Sequence, residues 1–274
     1  SAPWRPVQGR APAPPRRAAP SRRPVAPPAR RCYLRPMLSY LHAFHAGNLA
    51  DVHKHAMLAW MLDAMARKPK PLSYLETHAG RALYDLSAPE ARKTGEAARG
   101  IGRALGWFPA ADPYRRAVEA ARARHGPHAY PGSPLIAATL LRPADRLRLA
   151  ELHPAEAPAL RLALPRASVE HGDGLRLALA WTPPDPRRGL LLADPSWEVK
   201  SDYDAMPALL ERVAAKWPAG VLLLWYPLLA DARHAPMLDR LQASFPGALR
   251  HEVRWAGARM AGSGLLAVNP PWRM

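Results

Sequence analysis

Between residues 133 and 270, apolar stretches of strand length alternate with amphipathic stretches of helix length, and this alternation restricts the chain to few folds. Helix SPLIAATLLR (133–142), strand RLRLAELH (146–153), a helix over 154–164 and strand ASVEHGD (167–173) come first. A helix from Gly174 to about Ala180, strand GLLLADP (189–195), a helix over 202–216 and strand GVLLLWYP (220–227) continue the pattern. The last helix, 231–244, is followed by strands LRHEVRW (249–255) and SGLLAVNP (263–270) with no helix between them. Parallel neighbours need crossover helices and antiparallel ones do not. The spacing therefore predicts a mostly parallel, doubly wound sheet with an antiparallel last strand.

Ahead of this region, NLADVHKHAMLAWMLDAMARK (48–68) places Val52, His55, Ala59, Leu62 and Met65 at helical spacing and ends at Lys-Pro-Lys-Pro. PLSYLETHAG reads as a strand entering a glycine turn. Residues 86–128, rich in Ala, Arg and Glu with Gly-Pro breaks, read as a small helical insertion subdomain outside the sheet. The 274 residues carry a formal net charge of +17, which points to an anionic partner such as nucleic acid. Nine arginines and ten prolines, with no acid, fall in residues 1–36, so the body from Met37 holds +8. That first segment is expected to be disordered and to be leader sequence ahead of a natural start at Met37; a nucleic-acid-binding arm or an Arg-rich presequence are the alternatives. The single cysteine, Cys32, lies there too, so the body (37–274) has no disulfide or thiolate metal site and a cytoplasmic setting is expected. No stretch approaches eighteen uncharged apolar residues, and no membrane partner is expected.

Parallel β/α units ending in a strand pair are the layout of the Rossmann-like class I S-adenosylmethionine-dependent methyltransferase fold. In open α/β sheets, ligands sit beyond the carboxyl ends of the strands. In order, those ends present His78-Ala79-Gly80, Glu151, Asp173-Gly174 and Asp194-Pro195-Ser196-Trp197. Gly80 lets the backbone approach a ligand closely, Glu151 can accept two ribose hydroxyls, and Asp173 can accept from an adenine amino group. Taken singly, an acid ending a strand also reads as a helix N-cap.

Asp/Asn-Pro-Pro-aromatic at a strand end marks enzymes that methylate exocyclic amino groups of bases, and two approximations occur, DPSW (194–197) and NPPW (269–272). The second fits better by letter, but it ends the last, antiparallel strand. Chemistry is therefore assigned to Asp194, with the Asp194 carboxylate and the Pro195 carbonyl accepting the two N–H bonds of an amino group and Trp197 stacking on the base. His42, His45, His53 and His55 cluster without a nearby Cys, Glu or HExxH pattern, so no metal is expected. Tyr40, His42, Lys54 and His55 read instead as a polar lid around the substrate base or a cofactor carboxylate.

MLSYLHAFHAGNLADVHKH closely resembles the start of the RlmJ-type 23S rRNA (adenine-N6)-methyltransferases, and YLETHAG, AYPGSPLI, LAELHP, DPSWE, LWYP and SGLLAVNPPW follow in that family's order, covering about residues 37–274. The resemblance implies S-adenosylmethionine-dependent methylation of one adenine in 23S rRNA, by a monomer acting on bare RNA before subunit assembly. It implies cofactor contacts at His55, His78, Ser133, Glu151, Asp173 and Gly174, catalysis at Asp194, and a substrate pocket shaped by Tyr40, His42 and Lys54. It also implies that the insertion holds RNA, with Arg92, Lys93, Arg99 and Arg103 at phosphates.

Three departures stand out. THAGRALY replaces a turn that usually reads THAGAGRY, so Ala82 stands where a second glycine is usual and Arg81 is expected to crowd the cofactor loop. Ser196 and Trp197 replace Pro and Tyr, keeping a carbonyl and an aromatic face. The sequence ends at Met274, where relatives continue into a helical segment whose loss is expected to expose apolar surface. A DNA adenine methyltransferase and a catalytically weakened RNA-binding relative are the competing readings; no separate target-recognition domain fits the first within the body.

Overall fold

The computed structural model describes residues 41–256 and 260–271. The 1–36 segment, Tyr40 and Trp272 lie outside the described residues. The sheet strands are β1 (Ser73–Glu76), β4 (Arg146–Glu151), β5 (Ser168–His171), β6 (Gly189–Ala193), β7 (Val221–Leu229), β8 (Leu249–Arg254) and β9 (Met260–Val268). They lie in the order β5-β4-β1-β6-β7-β9-β8. The first five are mutually parallel; β9 inserts antiparallel between β7 and β8. The sheet is thus doubly wound with an antiparallel finish, as the spacing of the segments requires.

Every residue of β6, GLLLA, is buried, as befits a central parallel strand covered on both faces. One face packs under α1 (Leu49–Ala66), where Leu58, Met61, Leu62 and Met65 meet Tyr74, Leu190, Leu192 and Leu223. The other packs under α8 (Gly174–Trp181), α9 (Asp202–Lys216) and α10 (His234–Ser244) through Leu177, Trp181, Leu210, Val213, Leu238 and Leu241. Each such side chain contributes roughly 1.5–3 kcal/mol on burial. Helices α6 (Ser133–Leu140) and α7 (Glu156–Ala163) complete the crossovers.

Glu76 pairs in register with Leu149 of β4 and Leu192 of β6. The ends of β1, β4 and β6 therefore open on one crevice at the point where strand order reverses, the expected place for a ligand.

Three features differ from the sequence expectation. A two-stranded antiparallel ribbon, β2 (Leu83–Asp85) with β3 (Ala129–Pro131), stands apart from the sheet; three residues per strand are too few to show a period. Strand β7 runs on to Leu229 and β9 begins at Met260, because the two pair along their whole length and extend each other. Helix α10 starts at His234, three residues late, after a turn in which Ala232 takes φ +51°.

Between β2 and β3 lie α2 (Pro89–Thr94), α3 (Glu96–Arg99), α4 (Ile101–Ala104) and α5 (Pro113–His125), the last capped by Asp112, which accepts from the Tyr114 and Arg115 amides. Ile101, Tyr114 and Val118 pack with Val52 and Ala59 of α1. A side chain at Gly100 would strike the Gly47 backbone, and Ile101 N–H donates to the Gly47 carbonyl at 2.8 Å. The helices are thereby fastened to the loop that starts α1.

Candidate active site

Helix α1 delivers the polar centre. Asn48 caps it, accepting from the Asp51 amide at 2.9 Å, and the first two turns then place Asp51, Lys54 and His55 on one side. Lys54 Nζ lies 3.0 Å from Asp51 Oδ1 and 2.5 Å from Asp194 Oδ2. Asp51 also accepts from the Gly47 amide at 2.9 Å and pairs with His42 Nε2 at 2.8 Å. Asp194 follows β6 directly; its Oδ1 has no hydrogen-bond partner among the described residues.

Burial opposes the Asp51 charge, but His42 and Lys54 outweigh it and hold the carboxyl well below its ordinary range. Burial likewise opposes the Lys54 charge, and Asp194 and Asp51 override it, so the ammonium is held above its usual pKa. His55 and His78 are neutral for the opposite reason: burial pushes them down to about 3 and about 4, against the nearby carboxylates Asp51 for the first and Asp194 and Asp173 for the second.

A cleft of about 830 Å³ opens above these groups, in the range of cofactor sites. His42, Lys54, His55, His78, Gly80 and Ser133 line it, as do Glu151 and the Asp194–Trp197 run. Glu151 accepts from the Gly80 amide at 2.7 Å and the His153 amide at 2.6 Å. Asp173 and Gly174 stand outside this lining. Asp173 caps α8, accepting from the Leu175 and Arg176 amides, and a side chain at Gly174 would collide with the Thr77 carbonyl.

Two expectations are corrected. Lys54 and His55 are 4% and 1% exposed, so they form the wall of the cleft and not a lid; helix packing leaves them no freedom to close over anything. Arg81 does not crowd the loop. Its guanidinium turns to Glu156 at the start of α7, where two hydrogen bonds hold it, while Ala82 takes the left-handed φ of +68° that a glycine adopts freely. Trp197 is 6% exposed, its ring centroid 4.7 Å from that of Tyr203 with the two rings tilted by 41°, and its φ is +59°.

The sequence reading passed over Asp51 and Glu76. Glu76 ends β1 fully buried, accepting from Tyr74 Oη at 2.8 Å and Ser133 Oγ at 2.5 Å. Burial drives its pKa up to about 8 despite those two donors. An acid inside a four-residue buried strand was the available signal. The front histidines diverge to separate partners: His42 to Asp51, His45 to Glu96, His53 to Ser263 and His251, His55 to Tyr130.

No helix among the described residues is long and apolar enough to cross a membrane. Residues 69–274 match the family model described as ribosomal RNA large subunit methyltransferase D, RlmJ. The chain is 39% identical over 251 residues to ribosomal RNA large subunit methyltransferase J of Escherichia coli (strain K12), covering 87% of this chain and 89% of that one. It is 37% identical over 252 residues to the protein of the same name from Haemophilus influenzae, with the same coverages. The crystal structure of protein LPL1258 from Legionella pneumophila superposes with a TM-score of 0.77 at 35% identity, over 83% of this chain and 88% of that one. A doubly wound sheet with an antiparallel last strand, a polar cleft at its switch point, and these matches together show that the chain belongs to the RlmJ family of ribosomal RNA large subunit methyltransferases.

Proposed function

We propose that the chain transfers a methyl group from S-adenosylmethionine to N6 of one adenine in 23S rRNA. The observation that carries this is the bridge from Lys54 to Asp194, a residue of the cleft lining: it engages Oδ2 and leaves Oδ1 without a partner among the described residues, available to accept an amino N–H. The cofactor, when bound, supplies an electrophilic methyl group on a cationic sulfur. The cleft fits it. Glu151 offers a carboxylate at the end of β4 for two ribose hydroxyls, and the left-handed Gly80 leaves room that a Cβ would take from Tyr84 Oη.

An adenine amino lone pair is delocalised into the ring, so the nitrogen is a poor nucleophile until hydrogen bonds draw it toward tetrahedral geometry. Asp194 Oδ1 and the Pro195 carbonyl accept its two N–H bonds; as the nitrogen takes the methyl group, Asp194 receives the proton. His42, held by Asp51, and Trp197 border the base, and the family resemblance assigns Tyr40 to the same pocket. His55, His78 and Ser133 of the lining serve the cofactor end, and the family resemblance adds Asp173 and Gly174, which stand outside that lining. The exposed Arg92, Lys93, Arg99 and Arg103 of the insertion meet RNA phosphates. The family resemblance extends this reading to a cytoplasmic monomer acting on bare rRNA before subunit assembly. The turn of Arg81 toward Glu156 removes the crowding on which a weakened cofactor site rested.

The test is methyl transfer from labelled S-adenosylmethionine to unmodified 23S rRNA with the product nucleosides resolved. N6-methyladenosine is expected. A different methylated nucleoside, or preference for duplex DNA, would overturn the reading.

A further inference from the structure

Lys54 has a third neighbour. Its ammonium, already shared between Asp194 and Asp51, sits 5.5 Å from the centroid of the Trp225 ring, within the reach of a cation–π contact. A lysine ammonium has three protons; two are matched by carboxylates, and the indole face is the further neighbour within cation–π reach. Trp225 lies on β7, on the sheet face that α1 covers, and borders the same cleft. It is held in place: its Nε1–H donates to Ser263 Oγ at 2.8 Å, and that fully buried hydroxyl also hydrogen bonds with His53 Nδ1 at 2.8 Å. His53 is one residue before Lys54 on α1. The helix that carries the lysine and the strand that carries the indole are thus tied together at the ammonium and again at the serine.

We propose that Trp225 is a positioning residue for the reaction: its ring face fixes the Lys54 ammonium between the two carboxylates, and through it the orientation of Asp194 toward the base. This rests on the methyl-transfer reading above. Without the ring, the buried ammonium loses that neighbour and can tilt toward Asp51, releasing the Asp194 carboxylate to rotate. The requirement is for an aromatic face. Phenylalanine keeps the face and gives up only the bond to Ser263, whereas leucine keeps bulk and gives up the face.

The experiment uses the full chain with unmodified 23S rRNA and compares Trp225→Phe with Trp225→Leu. The Phe variant is expected to keep kcat within about threefold of wild type, and the Leu variant to lose about thirtyfold in kcat with KM for RNA and cofactor Kd little changed. A Leu variant at wild-type kcat, or a Phe variant as slow as the Leu one, would overturn the proposal. A second readout stands apart from turnover: 15N NMR of the lysine ammonium groups in the enzyme alone. The ring current should shift the Lys54 ammonium proton signal upfield in wild type and the Phe variant relative to the Leu variant, in which the two carboxylates alone set its position. A wild-type ammonium with no nuclear Overhauser contact to the Trp225 ring protons refutes the positioning role even if the Leu variant does not fold. A shielded signal in a protein that transfers nothing to RNA would instead fault the function assigned to the site and leave the positioning intact.

Discussion

Arg81 closes on Glu156 through two hydrogen bonds, Nε to Oε2 at 2.8 Å and NH2 to Oε1 at 2.5 Å, tying the turn after β1 to the first turn of α7. The acid is buried and the arginine about one-third exposed. Glu156 also raises the pKa of Glu151, after the larger effect of burial. Arg81→Ala therefore leaves a buried carboxylate unpaired beside the proposed ribose acceptor. Cofactor affinity is expected to fall about tenfold, equivalent to about 1.4 kcal/mol, with kcat at saturation unchanged. Calorimetric titration with S-adenosylhomocysteine checks this; an unaltered Kd would show that the ion pair serves the fold alone.

The Lys54 bridge makes two substitutions separable. Asp194→Ala is expected to abolish methyl transfer and spare cofactor binding, since Asp51 still holds the ammonium. Retained turnover would remove Asp194 from the chemistry. Lys54→Met leaves Asp51 and Asp194 without their shared cation, and a buried pair broken from one side costs about 3 kcal/mol or more. Its urea midpoint should drop along with its turnover. A midpoint equal to wild type would contradict the buried charge balance.

Gly174 leaves no room for a Cβ against the Thr77 backbone, so Gly174→Ala must push α8 away from the turn that follows β1. Stability is expected to fall by about 1–3 kcal/mol, with weaker cofactor binding. Thermal unfolding and titration together report both; a variant as stable as wild type would mean that the two segments separate freely.

Stability should pass through a maximum near neutral pH. Glu76 is raised to about 8 by burial, so the unfolded chain ionises it first: this contribution is full below about pH 4.5 and is lost as pH rises toward 8. His55, His78 and His53 are lowered to about 3, about 4 and about 4 by burial, so their contribution is full above about pH 6.5 and is lost as pH falls toward 4. Glu76→Gln should flatten the alkaline limb of urea-unfolding stability and leave the acid limb in place. An unchanged slope between pH 6 and 8 would show that Glu76 is not the group responsible.

Much of this architecture was legible because burial on both faces writes continuous apolar strands such as LLL (190–192), and covering helices write a 3.6-residue period. The ends of those strands then marked Glu151 and Asp194. Asp51 was not legible, because an acid in the first turn of a helix already has an ordinary reason to be there. Its role depends on Lys54 reaching across to a strand 140 residues on. Trp225 was hidden in the same way, since an aromatic within LLLWYP reads as core until the partner above its ring is known. The φ of Ala82 was marked only by the glycine usual at that place in the family it resembles, for alanine itself carries no signal of left-handed backbone.

The β2–β3 ribbon pairs Asp85 with Ala129, so the whole run from 86 to 128 leaves and returns at neighbouring Cα atoms, about 5 Å apart. A segment closed at its base can lengthen, shorten or change its charges without moving a single sheet strand. In this chain it holds eight Arg and Lys residues against four acids. Variation is therefore free at its outer residues, such as Arg92, Lys93 and Arg103, whereas Ile101, Tyr114 and Val118 are bound to the helix that carries Lys54 and must change with it.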